Sequence, residues 1–155
     1  MHKADTKKKK FFNMKIVWWV LFVLWISGVI LLSTIRGDMI PKLPIPNRIF
    51  GIGMDKIFHF GLFTTGGILL SGALRISFAW RWRTILLVTI ICLSLFGMSD
   101  EFHQLYTPKR SGADIGDWLA DTLGSTFGAF LLYFFYGFPF IRKRRIPDCL
   151  APEGD

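Results

Sequence analysis

Apolar residues in this chain come in long unbroken runs, neither alternating as in a half-buried strand nor confined to one stripe as in a surface helix. The first run, residues 16–35, carries no charge over about 20 residues, the length that crosses the roughly 30 Å hydrocarbon layer of a bilayer. Others follow at 57–74, 84–98 and 118–141. The third is short as an uncharged stretch. Its helix is expected to open near Trp80 or Trp82 and to run on through Gln104. The pattern predicts an all-α, polytopic membrane protein, a four-transmembrane-helix bundle with helices at about 16–35, 57–74, 82–104 and 114–141. Residues 1–15 are expected to form a basic cytoplasmic tail, and 142–155 a second tail that is basic and then proline-rich.

The connections follow from turn chemistry. Pro41, Pro44 and Pro46, with several glycines, make the stretch between the first two helices irregular. The Pro-x-x-Pro spacing at Pro41 and Pro44 is expected to stiffen that loop. Lys7, Lys8, Lys9 and Lys10 ahead of an apolar run resemble the start of a signal peptide. The run, however, exceeds the roughly 7–15 residues of such a core, and no small-x-small cleavage site follows it, so a retained helix is expected.

Composition supports the membrane reading. The chain has 155 residues, enough for one domain, of which 52% are hydrophobic and 16 are Phe. A soluble domain of this size cannot hide so much apolar surface. A net charge of +8 would suit nucleic acid, but the basic residues lie between the apolar runs and at the two ends, which argues for no nucleic acid partner. With both termini inside, 13 lysines and arginines fall on the cytoplasmic side and 6 outside. That bias predicts that both the N-terminus and the C-terminus are cytoplasmic. Trp18, Trp19, Trp80 and Trp82 are expected as interfacial anchors, the Lys7–Lys10 cluster as a contact for anionic headgroups, and Phe134 and Phe135 as lipid contacts. Cys92 and Cys149 suit neither a disulfide nor a metal pair.

The acidic residues change the picture. Seven of the 11 (Asp38, Asp55, Asp100, Glu101, Asp114, Asp117 and Asp121) fall at or between the outer ends of the helices in this topology. Asp55 and His59 are four apart at the start of helix two and share a face. At about 100° per residue, Gly97, Asp100, Glu101 and Gln104 cover one third of helix three, with His103 beside them. Asp114, Asp117 and Asp121 form a stripe on helix four that Gly124 and Gly128 continue. This G-x-x-x-G pair is expected to admit a neighbouring helix closely, turning the acidic face inward. Asp114 and Asp117 suit a helix N-terminus, where Ser111 could complete a capping box. Asp121 lies deeper, where an ionised carboxylate costs roughly 2.5–3.5 kcal/mol at mid-membrane. Asp100 and Glu101 oppose the dipole at a helix C-terminus, so Arg110, Lys109, His59, a metal ion or a proton must offset them.

Three blocks carry a family resemblance: D-K-I-F-H-F at 55–60, S-D-E-F-H-Q-L-Y-T-P-K-R-S at 99–111, and A-D-I-G-D-W-L-A-D-T-L-G-S-T-F-G at 113–128. In this order they resemble the VanZ-like family of small bacterial membrane proteins, over about half the chain. Asp55, Lys56, His59, Asp100, Glu101, Gln104, Arg110, Ser111, Asp114 and Gly124 match its motif positions. The chain departs at Asp121, where the family often has Asn, and at Lys109, where it commonly has Gly. The resemblance implies a four-helix protein whose namesake is linked to teicoplanin-type glycopeptide resistance, and it supplies no reaction.

The site expected from both arguments faces the outer leaflet and takes a cell-envelope ligand, lipid-linked or a headgroup. His59, Asp100, Glu101 and Asp55 are the candidate catalytic groups, with His59 as acid or base oriented by Asp55 or Asp100. Lys56, Gln104, Arg110, Ser111 and Asp114 are candidate ligand-binding groups, the two cations suiting phosphate or carboxylate. Gly124 and Gly128 are assigned to helix packing. No cofactor is evident. A divalent metal held by Asp100, Glu101 and Asp114 is a possibility without a recognised signature. The lipid bilayer is the one sure partner, and the oligomeric state stays open. The alternative is a scaffold whose polar cluster only locks the helices together. An ion pathway is disfavoured, because the inner halves of the helices hold no carboxylates to continue a relay.

Overall fold

The computed structural model describes residues 2–39, 48–49 and 52–137, with side chains over 13–39 and 52–136. Pro41, Pro44 and Pro46, the end of the fourth helix expected at 138–141, and the tail with Cys149 lie outside the described residues. The described chain is helical apart from one small hairpin. Helix α1 spans His2–Thr34, α2 Met54–Ser77, α3 Trp82–Gln104 and α4 Ile115–Leu132. A 3-10 turn, Gly37–Met39, follows α1, and a π-helical turn, Tyr133–Gly137, follows α4. Strands β1 (Arg48–Ile49) and β2 (Ile52–Gly53) pair antiparallel, Arg48 opposite Gly53, just ahead of α2.

The bounds of α3 are those read from the hydropathy pattern, whereas α1 is helical from His2 and not only from 16. Lysine is a good helix former, and no proline or glycine interrupts the basic segment, so the helix continues through residues expected as a tail. Among the described residues, three helical segments are long and apolar enough to cross a membrane: Asn13–Thr34, Met54–Ser77 and Trp82–Gln104. Helix α4 is shorter and carries Asp117 and Asp121, both buried.

Close approach of α2 and α4 holds the bundle together. A Cβ on Gly124 would strike the carbonyl of Phe60, one on Gly128 the carbonyl of Thr64, and one on Gly67 the carbonyl of Ser125. Without a hydrophobic drive between helices in lipid, such backbone contact supplies much of the packing. Helix α1 lays aromatic rings on α2: Trp25 covers Gly66 and Trp18 covers Gly72. Trp25 also stacks on Phe22, meets Phe63 edge-on, and donates from Nε1 to the Leu62 carbonyl at 3.0 Å. The core is Phe22, Phe63, Leu70, Leu74, Ile85 and Leu93. Small hydroxyls pair between helices, Ser71 with Thr89 at 3.1 Å and Ser94 with Thr122 at 2.9 Å.

The outside is apolar. Leu87, Ile91 and Leu95 on α3, and Leu119, Leu123, Phe127 and Phe130 on α4, are exposed one helical turn apart. In water a surface of this extent would be a liability; facing lipid it is the low-energy arrangement. The chain is a membrane protein.

Candidate functional site

The C-terminal ends of α1 and α3 and the N-terminal ends of α2 and α4 meet at one end of the bundle, and the polar residues gather there. Lys56, in the first turn of α2, reaches across to α4. Its Nζ donates to Asp114 at 2.9 Å, to Asp117 at 3.0 Å and to Asp55 at 3.3 Å. Asp114 also caps α4, accepting the Gly116 N–H at 2.7 Å. The Lys56 ammonium, and then that N–H, hold the Asp114 carboxyl below the usual carboxylate range. The cap is thus Asp114 itself and not Ser111, which is exposed.

One turn deeper, His59 Nδ1 lies 2.9 Å from Asp121 Oδ1. With Asp121 ionised and the imidazole neutral, Nδ1 donates to the carboxylate and Nε2 carries the lone pair. Asp121 is wholly buried (0% exposed), and its Oδ2 has no hydrogen-bond partner among the described residues. That side chain lies against the backbone of Gly97 on α3. The expectation that Asp55 or Asp100 orients His59 is therefore corrected. Asp55 sits on Lys56, and Asp100 faces α1, where it accepts from the Ser33 hydroxyl and from Gln104 Nε2 at 2.9 Å. The physical reason is register: Asp121 stands one turn below Asp117 on the face of α4 that its glycines press against α2.

Glu101 is buried and bridges α3 to the start of α4. Its Oε2 accepts the Asp114 N–H at 2.9 Å, while its own carbonyl accepts the Ala113 N–H at 3.2 Å. The dipole conflict of Asp100 and Glu101 is thus met by Ser33, Gln104 and a backbone N–H. The cations expected to offset it are engaged elsewhere. Arg110 binds the end of α1, donating to the Leu32 carbonyl at 2.6 Å, the Ile35 carbonyl at 3.3 Å and Gln104 Oε1 at 3.4 Å. Lys109 meets Asp38 at 3.2 Å. The guanidinium fork expected to bind phosphate is spent on helix-terminal carbonyls, which an arginine near a helix C-terminus satisfies well. His103 is exposed and outside the cluster.

Among the described residues, two sets of side chains have the geometry to hold a cation. Ligand atoms of His59, Glu101 and Asp117 lie within 4.8 Å of one another, and so do those of Asp55, Asp114 and Asp117. The second set already surrounds the Lys56 ammonium. Asp100, expected in a metal site with Glu101 and Asp114, belongs to neither. Beside the cluster, between α3 and α4, a groove of about 280 Å³ is lined by Met98, Glu101, Phe102, Ala113, Asp114, Ile115 and Trp118. The Trp118 indole is held by donation to the Ser94 carbonyl at 3.1 Å.

Asp117, Asp121 and Ser33 were not among the candidate site residues. The stripe Asp114, Asp117, Asp121 carried the signal for the first two, since its glycine continuation turns it inward. Nothing in sequence marks Ser33 as Asp100's partner.

A family model described as VanZ/LLP1 matches residues 8–136 of the chain. No curated protein and no solved structure matches it.

Proposed function

The chain belongs to the VanZ/LLP1 family, and on that premise we propose a four-span membrane protein, both termini cytoplasmic, whose outer-leaflet polar cluster binds or acts on an amphiphilic ligand of the cell envelope. A lipid-linked wall intermediate or a phospholipid headgroup is the ligand class, and altered glycopeptide susceptibility is one consequence such a role would have. The observation that carries this reading is the groove between α3 and α4. Its walls, Met98, Phe102, Ile115 and Trp118, suit an acyl or prenyl chain, and Glu101 and Asp114 lie along it where the polar cluster begins. An amphiphile lying there would place its head at Asp114, which the Lys56 ammonium binds.

The fourth span is supported by the lipid-type outer face of α4, Leu119, Leu123, Phe127 and Phe130. Inward-facing carboxylates lower its mean hydropathy without touching that face. The orientation is supported by the excess of lysine and arginine on the proposed inner side. In this reading His59, its Nδ1 fixed by Asp121, presents Nε2 as the group able to take or give a proton, and Glu101 is the neighbouring carboxylate.

A second reading has an observation of its own. Lys56 donates to three carboxylates of the cluster and Arg110 to three acceptors within the protein, as a structural cluster would have it. Site-specific photocrosslinking separates the two. A diazirine placed at Phe102, in the groove, should capture a defined amphiphile, while one at Ile91, exposed on the lipid face of α3, should capture bulk phospholipid. The same mixture at both positions would favour the scaffold.

A further inference from the structure

We propose that His59, Glu101 and Asp117 hold one divalent first-row transition ion, of the manganese or zinc class, with Asp121 as the residue that positions the histidine. The three donors come from α2, α3 and α4 and already converge to within 4.8 Å. One imidazole nitrogen with two carboxylates suits manganese, iron(II) or zinc better than magnesium or calcium, which prefer oxygen alone. The histidine has the partner that metal-bound histidines have: one ring nitrogen bonds a carboxylate, at 2.9 Å here, which leaves the other for an ion.

Charge gives an independent argument. Glu101 and Asp117 are buried, and behind them Asp121 is completely so, with one oxygen unpartnered among the described residues and directed at the α3 wall one turn from Glu101. Among the described residues, the cationic groups beside these three carboxylates are Lys56 and, when protonated, His59. An unmatched buried charge is expensive, and a dication bound to His59, Glu101 and Asp117 would balance it. In the neighbouring acidic trio Lys56 already supplies the cation, and it holds Asp117 in place.

This inference deepens the envelope-ligand reading and rests on it only for what the ion would do: a bound cation would let an acidic site accept a phosphate-bearing head. Ion binding itself needs no ligand, so its test is separate. Full-length protein in detergent, stripped with chelator, is titrated with Mn²⁺ alone and followed by the loss of the free-ion EPR signal, with Zn²⁺ as competitor. One ion per chain is expected. Binding should be lost in His59→Ala and Asp117→Asn, weakened about 10–100-fold in Asp121→Asn, and unchanged in Asp38→Asn. Pulsed EPR on the unsubstituted protein should show coupling to one histidine nitrogen, a readout that needs no variant to fold. Absence of stoichiometric binding by folded protein, binding that survives His59→Ala and Asp117→Asn, or no nitrogen coupling would each overturn the site. Selective capture at Phe102 with no Mn²⁺ binding would leave the ligand reading intact and remove the ion.

Discussion

Lys109 shows how one residue can carry both a family pattern and a strain. Its φ of 59° lies in the left-handed region, where a Cβ costs roughly 1–2 kcal/mol and glycine fits freely. This is the position where VanZ-like sequences commonly have Gly. What the lysine gains is an exposed pair with Asp38 at 3.2 Å, and such pairs contribute about 0–1 kcal/mol. The backbone term is the larger. Lys109→Gly is therefore expected to raise stability by up to about 1 kcal/mol, read as a higher midpoint in thermal unfolding in detergent. A lower midpoint would mean that the pair with Asp38 outweighs the strain. Asp121, the other departure, is of the opposite kind. It keeps a carboxylate where Asn is usual, and it uses that carboxylate on His59. Sequence alone flagged its cost but not its partner, because two residues 62 positions apart on different helices have no periodicity that links them.

At the scale of elements, helix existence was legible and so were the faces. The charge-free runs marked the spans, and the Gly124 and Gly128 spacing marked the surface of α4 that meets α2. What stayed illegible was whatever depends on a partner's register: Ser33 beneath Asp100, and Arg110 folded back on the carbonyls of α1. Arg110 was read as an anion binder because sequence shows a cation beside a carboxylate cluster, not the acceptors around it. The glycines permit a paired test. Gly128 faces the Thr64 carbonyl, whereas a Cβ on Gly28 of α1 would meet nothing within 4 Å. Gly128→Leu should prevent folded protein from accumulating in membranes. Gly28→Ala should be neutral or stabilising by roughly 0.5–1 kcal/mol, the helix-propensity difference. Equal tolerance at the two positions would mean that α2 and α4 do not pack as described.

For the whole molecule, the arrangement is one of unequal ends. One end gathers six carboxylates, a histidine and a lysine from three helices, tied to α1 through Ser33, and an apolar groove between α3 and α4 lies beside it. The core beneath is aromatic and aliphatic. Such polarity is costly to build in a membrane, and the proposed site and a lock for the helices predict different consequences of removing it. The measurement that tests this most directly is envelope-antibiotic susceptibility in cells carrying His59→Ala or Glu101→Gln, normalised to the membrane abundance and thermal midpoint of each variant. The account predicts normal amounts of folded protein with the phenotype lost. A phenotype that falls only in proportion to folded protein, or persists in full, would contradict it.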